Sequence, residues 1–459
     1  MVEKKKEASK RIVKQSYIAI SLIIAFASSV WLWYVNISPD WDEDYFGNIT
    51  LLLVGILFCV TYWFFAKMYQ AQKIGIYRLT ELLYFQLLSY TFADVILLVE
   101  MVVWFHGFQK IDFLTFAMAF ILQMFVIAIV IFIHNRLFAK LDEPRKVVII
   151  YGKNDYLSLL RKIRSKKFRY NVLGCFEDNV SLDMLREIIQ NSDSVYLYEI
   201  NDVLKKELVL YCDAIGRDIY LTQSVEDLIT MGFDISHTFD TPFIRTKRAP
   251  VKWYYPFVKR LADIVCSAIA CIILSPLFLV VAVAIKLYDG GPVFYTQKRV
   301  TKDHKEFMIY KFRSMITDAE AHGMRRATDH DDRITPVGKL IRATRIDELP
   351  QLLNILKGDM SIVGPRPERV ELDDAYTKQI PEFALRLKVR AGLTGYAQVF
   401  GKYNTTPEDK LKLDLLYINQ QSILMDLKLI LYTIKIMFIP ESTEGFEENE
   451  TTLEDINKK

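Results

Sequence analysis

Residues 264–287 read IVCSAIACIILSPLFLVVAVAIKL, and the way this run meets a membrane decides on which side the rest of the chain lies. The run is long enough to cross a bilayer, which takes about 20 apolar residues. Ser275 and Pro276 interrupt its middle. A proline removes a backbone donor and clashes with the preceding turn, so a helix kinks there. The serine hydroxyl can satisfy a carbonyl that the kink frees.

Basic residues flank both ends of this run, and positive charge is typical of cytoplasmic segments. They are Lys259 and Arg260 before it, and Lys286, Lys298, Arg299 and Lys302 after it. We therefore predict a re-entrant helix over 260–287 that enters one leaflet and returns. The alternative is a kinked spanning helix, which would place the remaining residues outside the cell.

Four further apolar runs lie at about 17–35, 49–70, 82–104 and 112–137, and each approaches the length of a membrane span. We predict a four-helix transmembrane domain over 1–140. The loop after the first run is acidic, and the segments after the second and fourth are basic. By the positive-inside rule, the N-terminus and everything after residue 138 face the cytoplasm. Asp94 lies inside the third run, and an intramembrane carboxylate is a candidate for transport.

The composition fits a partly membrane-embedded chain. Its 459 residues suffice for about three domains, 52% of them are hydrophobic, and the mean hydropathy is +0.15. The net charge of +3 is too small to identify a partner, and we predict no binding of nucleic acid. The five cysteines include no CxxC pair, which argues against a disulfide framework and a zinc site.

Residues 141–245 alternate between short apolar strands and helical stretches, beginning with KVVIIYG at 146–152. This alternation predicts a Rossmann- or flavodoxin-like domain with a parallel sheet. A dinucleotide site would need G-x-G-x-x-G after the first strand, whereas this turn, YGKNDY, has one glycine. We interpret the domain as a degenerate nucleotide-binding-like module with an interaction or regulatory role. The alternative is an oxidoreductase or dehydratase that acts on a nucleotide sugar.

Residues 345–351, RIDELPQ, place two carboxylates side by side before an apolar helical pattern. The pattern LPQLLNILKG predicts a helix of about ten residues, with Pro350 in its first turn and Asp347 or Glu348 near the N-cap. A simple cap explains one carboxylate. It does not explain the many nearby cations, which are Lys311, Arg313, Arg333, Lys339, Arg342, Arg345 and Arg366.

Adjacent helical residues point about 100° apart, so these two carboxylates cannot share a proton and should have different roles. A carboxylate at a helix N-terminus among arginines is expected to stay ionised. One could then act as a nucleophile, and the other could hold Mg²⁺. The cations would neutralise phosphates. Beside a re-entrant helix, this chemistry indicates phosphoryl transfer between a soluble nucleotide and a lipid.

Several motifs, in this order, resemble the bacterial sugar transferase family, the monotopic phosphoglycosyl transferases. They are KRLADIV (259–265), the SP break, GGPVFYTQKRV (290–300), KFRSM (311–315), the stretch from RITPVG to GPRPE (333–368) and RAGLTGYAQV (390–399). The resemblance covers about 253–438. The preceding spans and sheet are similar to those of the large members that begin exopolysaccharide, capsule or O-antigen synthesis in the bacterial inner membrane. The resemblance implies a mixed α+β catalytic domain at 253–440. The acidic composition of residues 441–459 predicts a disordered tail.

This resemblance implies transfer of a sugar 1-phosphate, which we expect to be a hexose 1-phosphate, from a UDP-sugar to undecaprenyl phosphate. UMP is released, and Mg²⁺ is required. Asp347 would form a covalent aspartyl-phosphosugar, and Glu348 would coordinate the metal. Substrate- or phosphate-binding positions are implied at Gln297, Arg299, Lys311, Arg313, Arg342, Arg366, Asp414 and Tyr417.

Further partners expected from the sequence are membrane lipid, a second copy of the chain and downstream glycosyltransferases. The middle domain is the expected dimer contact, because it has no visible catalytic task. A non-catalytic membrane scaffold or chain-length regulator is a further alternative. The intact pair of carboxylates and its surrounding cations speak against that alternative.

Overall fold

The computed structural model describes residues 2–36, 48–104, 111–152, 156–164, 166, 169–230, 234–238, 241–245, 253–317, 331–401 and 405–437. The acidic tail predicted at 441–459 lies outside them. The chain divides into two compact units, Met1–Thr222 and Gln223–Lys459.

The first unit begins with four long helices. They are α1 (Val2–Asn36), α2 (Asn48–Met68), α3 (Leu79–Trp104) and α4 (Phe113–Leu141). All four are long and apolar enough to cross a membrane, which confirms the predicted spans. Their polar side chains turn inward. Gln86, for example, donates to Tyr17 at 2.7 Å and accepts from Tyr62 at 2.9 Å. Asp94 is buried, and neither of its oxygens has a partner within the described part of the chain. Its role in transport stays a prediction.

A parallel sheet follows in the first unit, as the alternating pattern predicted. Its elements are β1 (Arg145–Tyr151), α5 (Leu157–Arg164), β2 (Tyr170–Glu177), α6 (Leu182–Gln190), β3 (Ser194–Tyr198), α7 (Asp202–Ala214) and β4 (Asp218–Leu221). The strand order is β2-β1-β3-β4, and every pairing is parallel. Val148 and Ile150 pack on the side of α6 and α7, while Val147 and Ile149 pack on the side of α5. Helices on both faces explain why β1 is an unbroken apolar run.

The lone glycine of YGKNDY has a structural reason. A Cβ at Gly152 would lie 2.2 Å from the carbonyl oxygen of Glu199, just beyond β3. The glycine therefore allows two backbone segments to approach closely at the end of the sheet. This contact accounts for the glycine without a bound phosphate. The likeness to a particular nucleotide-binding fold stays a prediction.

The second unit begins with α8 (Val225–Thr230) and the antiparallel strands β5 (Asp234–Thr238) and β6 (Thr241–Arg245). Leu228 is buried in the same apolar cluster as Leu411 and Leu415. Asn419 donates to the Leu228 carbonyl at 2.6 Å. Residues 223–245, which the sequence assigned to the middle domain, thus group with the second unit.

The apolar run at 264–287 folds as a bent helix pair, α9 (Tyr255–Ile273) and α10 (Ser275–Asp289). The two helices are bent by 60° at Leu274. Pro276 lies in the first turn of α10, and the Ser275 hydroxyl donates to the Ile272 carbonyl at 2.7 Å. The predicted kink and its serine contact are therefore present. The predicted return of the pair to the same face of the membrane stays a prediction.

The remaining elements form a mixed α/β fold. They are β7 (Phe294–Val300), β8 (Glu306–Phe312), α11 (Pro336–Ala343), a 3-10 turn (Ile346–Glu348), α12 (Gln351–Lys357), β9 (Met360–Val363), α13 (Val370–Gln379), a 3-10 segment (Pro381–Lys388), β10 (Ala391–Thr394), α14 (Tyr396–Phe400), α15 (Pro407–Asn419) and α16 (Ile423–Met437). β7 pairs with β8 antiparallel, and β9 pairs with β10 in parallel. Ile309 and Leu352 pack in one cluster with Leu274 and Phe278, so the bend of α9 and α10 rests on this core.

Candidate active site

The two adjacent carboxylates lie in a 3-10 turn, three and two residues before the N-cap of α12. The helix begins at Gln351 and its N-cap is Pro350, so both carboxylates lie near the N-cap, as predicted, but neither occupies it. The chain reverses at Arg345, which has a φ of 57° and separates α11 from the 3-10 turn. Among the described residues, no side chain forms a capping hydrogen bond at the N-terminus of α12. The simple capping interpretation is therefore excluded.

Glu348 is a buried carboxylate between two cations. Its Oε1 accepts from Lys311 Nζ at 3.0 Å and from Arg366 Nη2 at 2.9 Å. Burial alone would raise the pKa of Glu348, but the charges of Arg366 and Lys311 outweigh burial and hold that pKa well below its usual range. Glu348 is thus ionised and paired, and Oε2 is not engaged by either cation.

Asp347 has a different environment, although it is the next residue. It is half-buried, and none of the described residues forms a hydrogen bond or ion pair with its carboxylate. Burial, followed by the charge of Glu348, raises the pKa of Asp347 to about 6. We predicted that the cations would dominate here, and that was wrong in direction because burial and the like charge outweigh them. At neutral pH the group is still mostly ionised, and it is free to react.

The cations that face Asp347 come from three elements. Lys311, Arg342 and Arg345 each oppose the rise in the pKa of Asp347, so their charges act on this carboxylate. Lys311 lies on β8, Arg342 on α11, and Arg345 at the start of the 3-10 turn. Arg366 joins them through Glu348. The structure thus brings together both predicted catalytic carboxylates and three of the predicted phosphate-binding residues.

Arg313 does not join this group. It is two residues from Lys311 in sequence, but β8 ends between them, at Phe312. Arg313 is buried and forms an ion pair with Asp289 at the end of α10. A Cβ at Gly291 would lie 1.9 Å from Arg313 Nη1, so this glycine makes room for the guanidinium. Arg313 thus fastens α10 to the end of β8, and its contact with a phosphate stays a prediction.

Gln297 and Arg299 lie on β7 and act on the loop that carries Arg366. Arg299 Nη1 donates to the Pro367 carbonyl at 3.0 Å, and Nη2 donates to Gln297 Oε1 at 2.8 Å. Burial, helped by the nearby charge of Arg366, lowers the pKa of Arg299 to about 10. These contacts support the loop, and direct phosphate binding by the pair stays a prediction.

Asp414 and Tyr417 are buried in α15, each 1% exposed. Asp414 Oδ2 accepts from Arg386 Nε at 2.6 Å. The Tyr417 hydroxyl donates to Asp426 at 2.8 Å and also contacts the Val363 carbonyl at 3.2 Å. Both side chains lie behind the site as supports, and their direct contact with substrate stays a prediction. Arg386 was missed by the sequence, since no motif spacing links it to its partners.

The carboxylates of this site could bind Mg²⁺ only together with ligands from a substrate. The described residues contain no group of three or more His, Cys, Asp and Glu side chains able to hold a metal. Mg²⁺ is commonly bound by one or two carboxylates, with water and substrate phosphates completing its shell. Glu348 offers Oε2, and Asp347 lies beside it. A magnesium ion would therefore be held jointly by these carboxylates and a phosphorylated substrate.

These features define a membrane-associated protein whose second unit carries a pair of carboxylates surrounded by cations. Residues 254–440 match the family model described as bacterial sugar transferase. The chain is 31% identical over 371 residues to the galactosyl transferase CpsE of Streptococcus agalactiae, covering 72% of this chain and 80% of that protein. The chain belongs to the bacterial sugar transferase family.

Two other relatives carry different sugars in their names. The chain is 41% identical over 220 residues to a UDP-N-acetylgalactosamine-undecaprenyl-phosphate N-acetylgalactosaminephosphotransferase of Aeromonas hydrophila, covering 47% of this chain and 51% of the relative. It is 42% identical over 181 residues to a UDP-glucose:undecaprenyl-phosphate glucose-1-phosphate transferase of Caulobacter vibrioides, covering 38% and 68%. The chain thus spans about half the length of the first relative, and the sugar differs among the three.

Proposed function

We propose that this protein transfers a sugar 1-phosphate from a UDP-sugar to undecaprenyl phosphate and releases UMP. The observation that carries the proposal is the contrast between the unpaired Asp347 and the doubly paired Glu348. An ionised, unpaired carboxylate among cations suits attack on a phosphate, because the cations neutralise the phosphate's charge. Relatives named for the same lipid acceptor support this assignment.

The reaction proceeds in two balanced steps. In the first, a carboxylate oxygen of Asp347 attacks the phosphorus that bears the sugar, and the bond to the bridging oxygen of the diphosphate breaks. UMP leaves with that oxygen, and an aspartyl-phosphosugar remains. In the second, a phosphate oxygen of undecaprenyl phosphate attacks the same phosphorus and Asp347 is released. The product is the undecaprenyl diphosphosugar.

The surrounding side chains divide the supporting work. Lys311, Arg342 and Arg366 neutralise the phosphates as they approach and as UMP departs. Glu348 keeps Lys311 and Arg366 at fixed positions through two charge-assisted hydrogen bonds. Mg²⁺, held by the carboxylates and the diphosphate, would supply further charge neutralisation. A hexose 1-phosphate is the expected group.

Re-entry of α9 and α10 belongs to this proposal, and contacts at both ends of the pair support it. Near the start of α9, Lys259 pairs with Asp426 at 2.8 Å and Asp263 accepts from the Ile362 N–H at 3.0 Å. At the end of α10, Asp289 pairs with Arg313.

Both polar ends are therefore held by the same folded unit, whereas apolar side chains are exposed at the bend. Ile272, Ile273 and Leu279 are 73%, 68% and 67% exposed. A spanning helix would instead need one of its ends on the far side of the bilayer. We place the bend in the cytoplasmic leaflet of the bacterial inner membrane, with the N-terminus and the second unit in the cytoplasm.

The first test is UMP release from UDP-glucose, UDP-galactose and UDP-N-acetylgalactosamine, with and without undecaprenyl phosphate. The wild type is compared with Asp347→Asn and with Asp332→Asn, a matched change at an exposed aspartate. Lipid-dependent UMP release with one sugar, lost only in Asp347→Asn, is the expected result. Intact-mass analysis of the wild type with that UDP-sugar alone should show the added phosphosugar.

Two outcomes would overturn the proposal. Undiminished turnover in Asp347→Asn would show that Asp347 is not the nucleophile. Absence of UMP with every sugar, together with binding of NAD to the purified protein, would favour the oxidoreductase alternative.

A further inference from the structure

The loop that carries Arg366 is held by its backbone. Residues 364–368 read GPRPE, and both prolines lack an N–H. The Gly364 N–H donates to the Thr394 carbonyl at 2.8 Å, and the other backbone contacts of the loop use its carbonyls. Four successive carbonyls each accept one hydrogen bond. The pairs are Pro365 with Gly392 N–H at 2.8 Å, Arg366 with Arg386 Nη2 at 3.0 Å, Pro367 with Arg299 Nη1 at 3.0 Å, and Glu368 with Val300 N–H at 3.1 Å.

Arg386 is the donor whose own position is most strongly determined. It is 2% exposed, and Nε donates to Asp414 Oδ2 at 2.6 Å. Its guanidinium also lies over the Phe383 ring, 4.5 Å from the centroid. A buried guanidinium without a counter-charge costs several kcal/mol, so Asp414 keeps it both charged and oriented. Nη2 then donates to the carbonyl of Arg366.

Glu368 completes this arrangement from the other side of Arg386. Its carboxylate lies 4.0 Å from Arg386 Nη1 and pairs with Lys410. Burial alone would raise the pKa of Glu368, but Lys410 and Arg386 outweigh it and lower that pKa. The loop is thus fastened to the same buried charges by a backbone carbonyl and by a side chain two residues later.

We infer that Arg386, oriented by Asp414, is a positioning residue for Arg366, and the inference rests on the proposed function. Holding the carbonyl of Arg366 fixes its Cα, and the side chain then reaches Glu348 at 2.9 Å. Displacements of about 1 Å can cost on the order of 100-fold in rate when they move groups that hold a reacting phosphate. A residue that touches no substrate therefore controls the phosphate-binding cation.

The test is a double-mutant cycle with Arg386→Lys and Arg366→Lys. Lysine keeps the charge at 386 but cannot reach both Asp414 and the Arg366 carbonyl with one nitrogen. We expect Arg386→Lys to lower kcat/KM for UMP release about 10- to 100-fold. In the Arg366→Lys background, the same change should lower it by no more than about 2-fold, because coupled residues are not additive. Arg390→Lys, at an exposed arginine, is the matched control and should match the wild type.

Hydrogen exchange of the peptide that covers 364–369 gives a readout independent of activity. The protection of its backbone amides from exchange should fall in Arg386→Lys, while the melting temperature of the variant shows that the second unit is folded. If Arg386→Lys does not fold, Asp414→Asn replaces it in the cycle. The asparagine removes the counter-charge of Arg386, while its amide oxygen can still accept from Arg386 Nε so that the variant folds.

Unchanged loop protection, or losses that add fully in the double variant, would overturn the inference. If the wild type releases no UMP while the loop still loosens in Arg386→Lys, the proposed function fails and the backbone contact stands.

Discussion

The two neighbouring carboxylates should respond in opposite ways to removal of their charge. In Glu348→Gln, the amide keeps an acceptor at Oε1 but loses the charge between Lys311 and Arg366. Hydrogen bonds to charged groups contribute about 1.5–3 kcal/mol each, and breaking a buried ion pair costs about 3–5 kcal/mol. The side chain of Arg366 is 35% exposed, so solvent screens part of its share. We expect a loss of about 2–3 kcal/mol in the free energy of unfolding.

Asp347→Asn should behave differently, because no described residue pairs with that carboxylate. Removing its charge also removes repulsion from Glu348. The expected change in stability is within about 0.5 kcal/mol or is slightly favourable, as for substitutions without a broken contact. This variant should therefore be stable while losing UMP release.

The assay is thermal unfolding in detergent and EDTA, followed by tryptophan fluorescence. For a unit of this size, about 1 kcal/mol corresponds to about 2–4 °C, so Glu348→Gln should melt roughly 4–12 °C below the wild type. Asp332→Asn serves as the surface control. Equal losses in the two site variants, or a larger loss in Asp347→Asn, would refute the contrast between a paired and an unpaired carboxylate.

Three further predictions concern contacts away from the reacting groups. Gly291→Ala should destabilise the second unit by about 1–3 kcal/mol by displacing Arg313, and an unchanged melting temperature would contradict this packing. The wild type should exceed Glu368→Gln in free energy of unfolding, by the full amount above about pH 4.5. This difference should shrink as the pH falls through the lowered pKa of Glu368, and a difference independent of pH in acid unfolding titrations would contradict the prediction. Gly152→Ala should lower the melting temperature of the first unit, because the added Cβ meets the Glu199 carbonyl. The KM for UDP-sugar should stay unchanged, and a raised KM would indicate that the sheet has a catalytic role.

Patterns that repeat locally could be predicted from the sequence. The four membrane helices follow from long apolar runs, and the parallel sheet follows from short strands alternating with helices. The break at Pro276 was equally predictable, because a proline acts on its own turn. In each case the deciding interaction lies within a few residues.

The finer placement of side chains depended on contacts between distant parts of the chain. Arg313 is two residues from Lys311, but the strand ends between them and the two arrive at different partners. Arg386 lies 20 residues from Arg366 and 28 from Asp414 in sequence, so no local spacing reveals the link. The left-handed backbone conformation at Arg345 likewise could not be predicted, because the position is not a glycine.

Helix α9, which belongs to the proposed re-entrant pair, is hydrogen-bonded to the element next to Asp347 through Arg260. Arg260 donates to the carbonyls of Ile355 and Leu356, at 2.6 and 2.9 Å, which belong to the last turn of α12. The other end of α12 directly follows the turn with Asp347. Since a helix is stiff along its axis, the depth at which α9 would insert under the proposed re-entry would set the height of the Asp347 carboxylate above the lipid. Under the same proposal, a phosphate acceptor held at headgroup level by its lipid chain would meet Asp347 only within a narrow range of heights above the membrane.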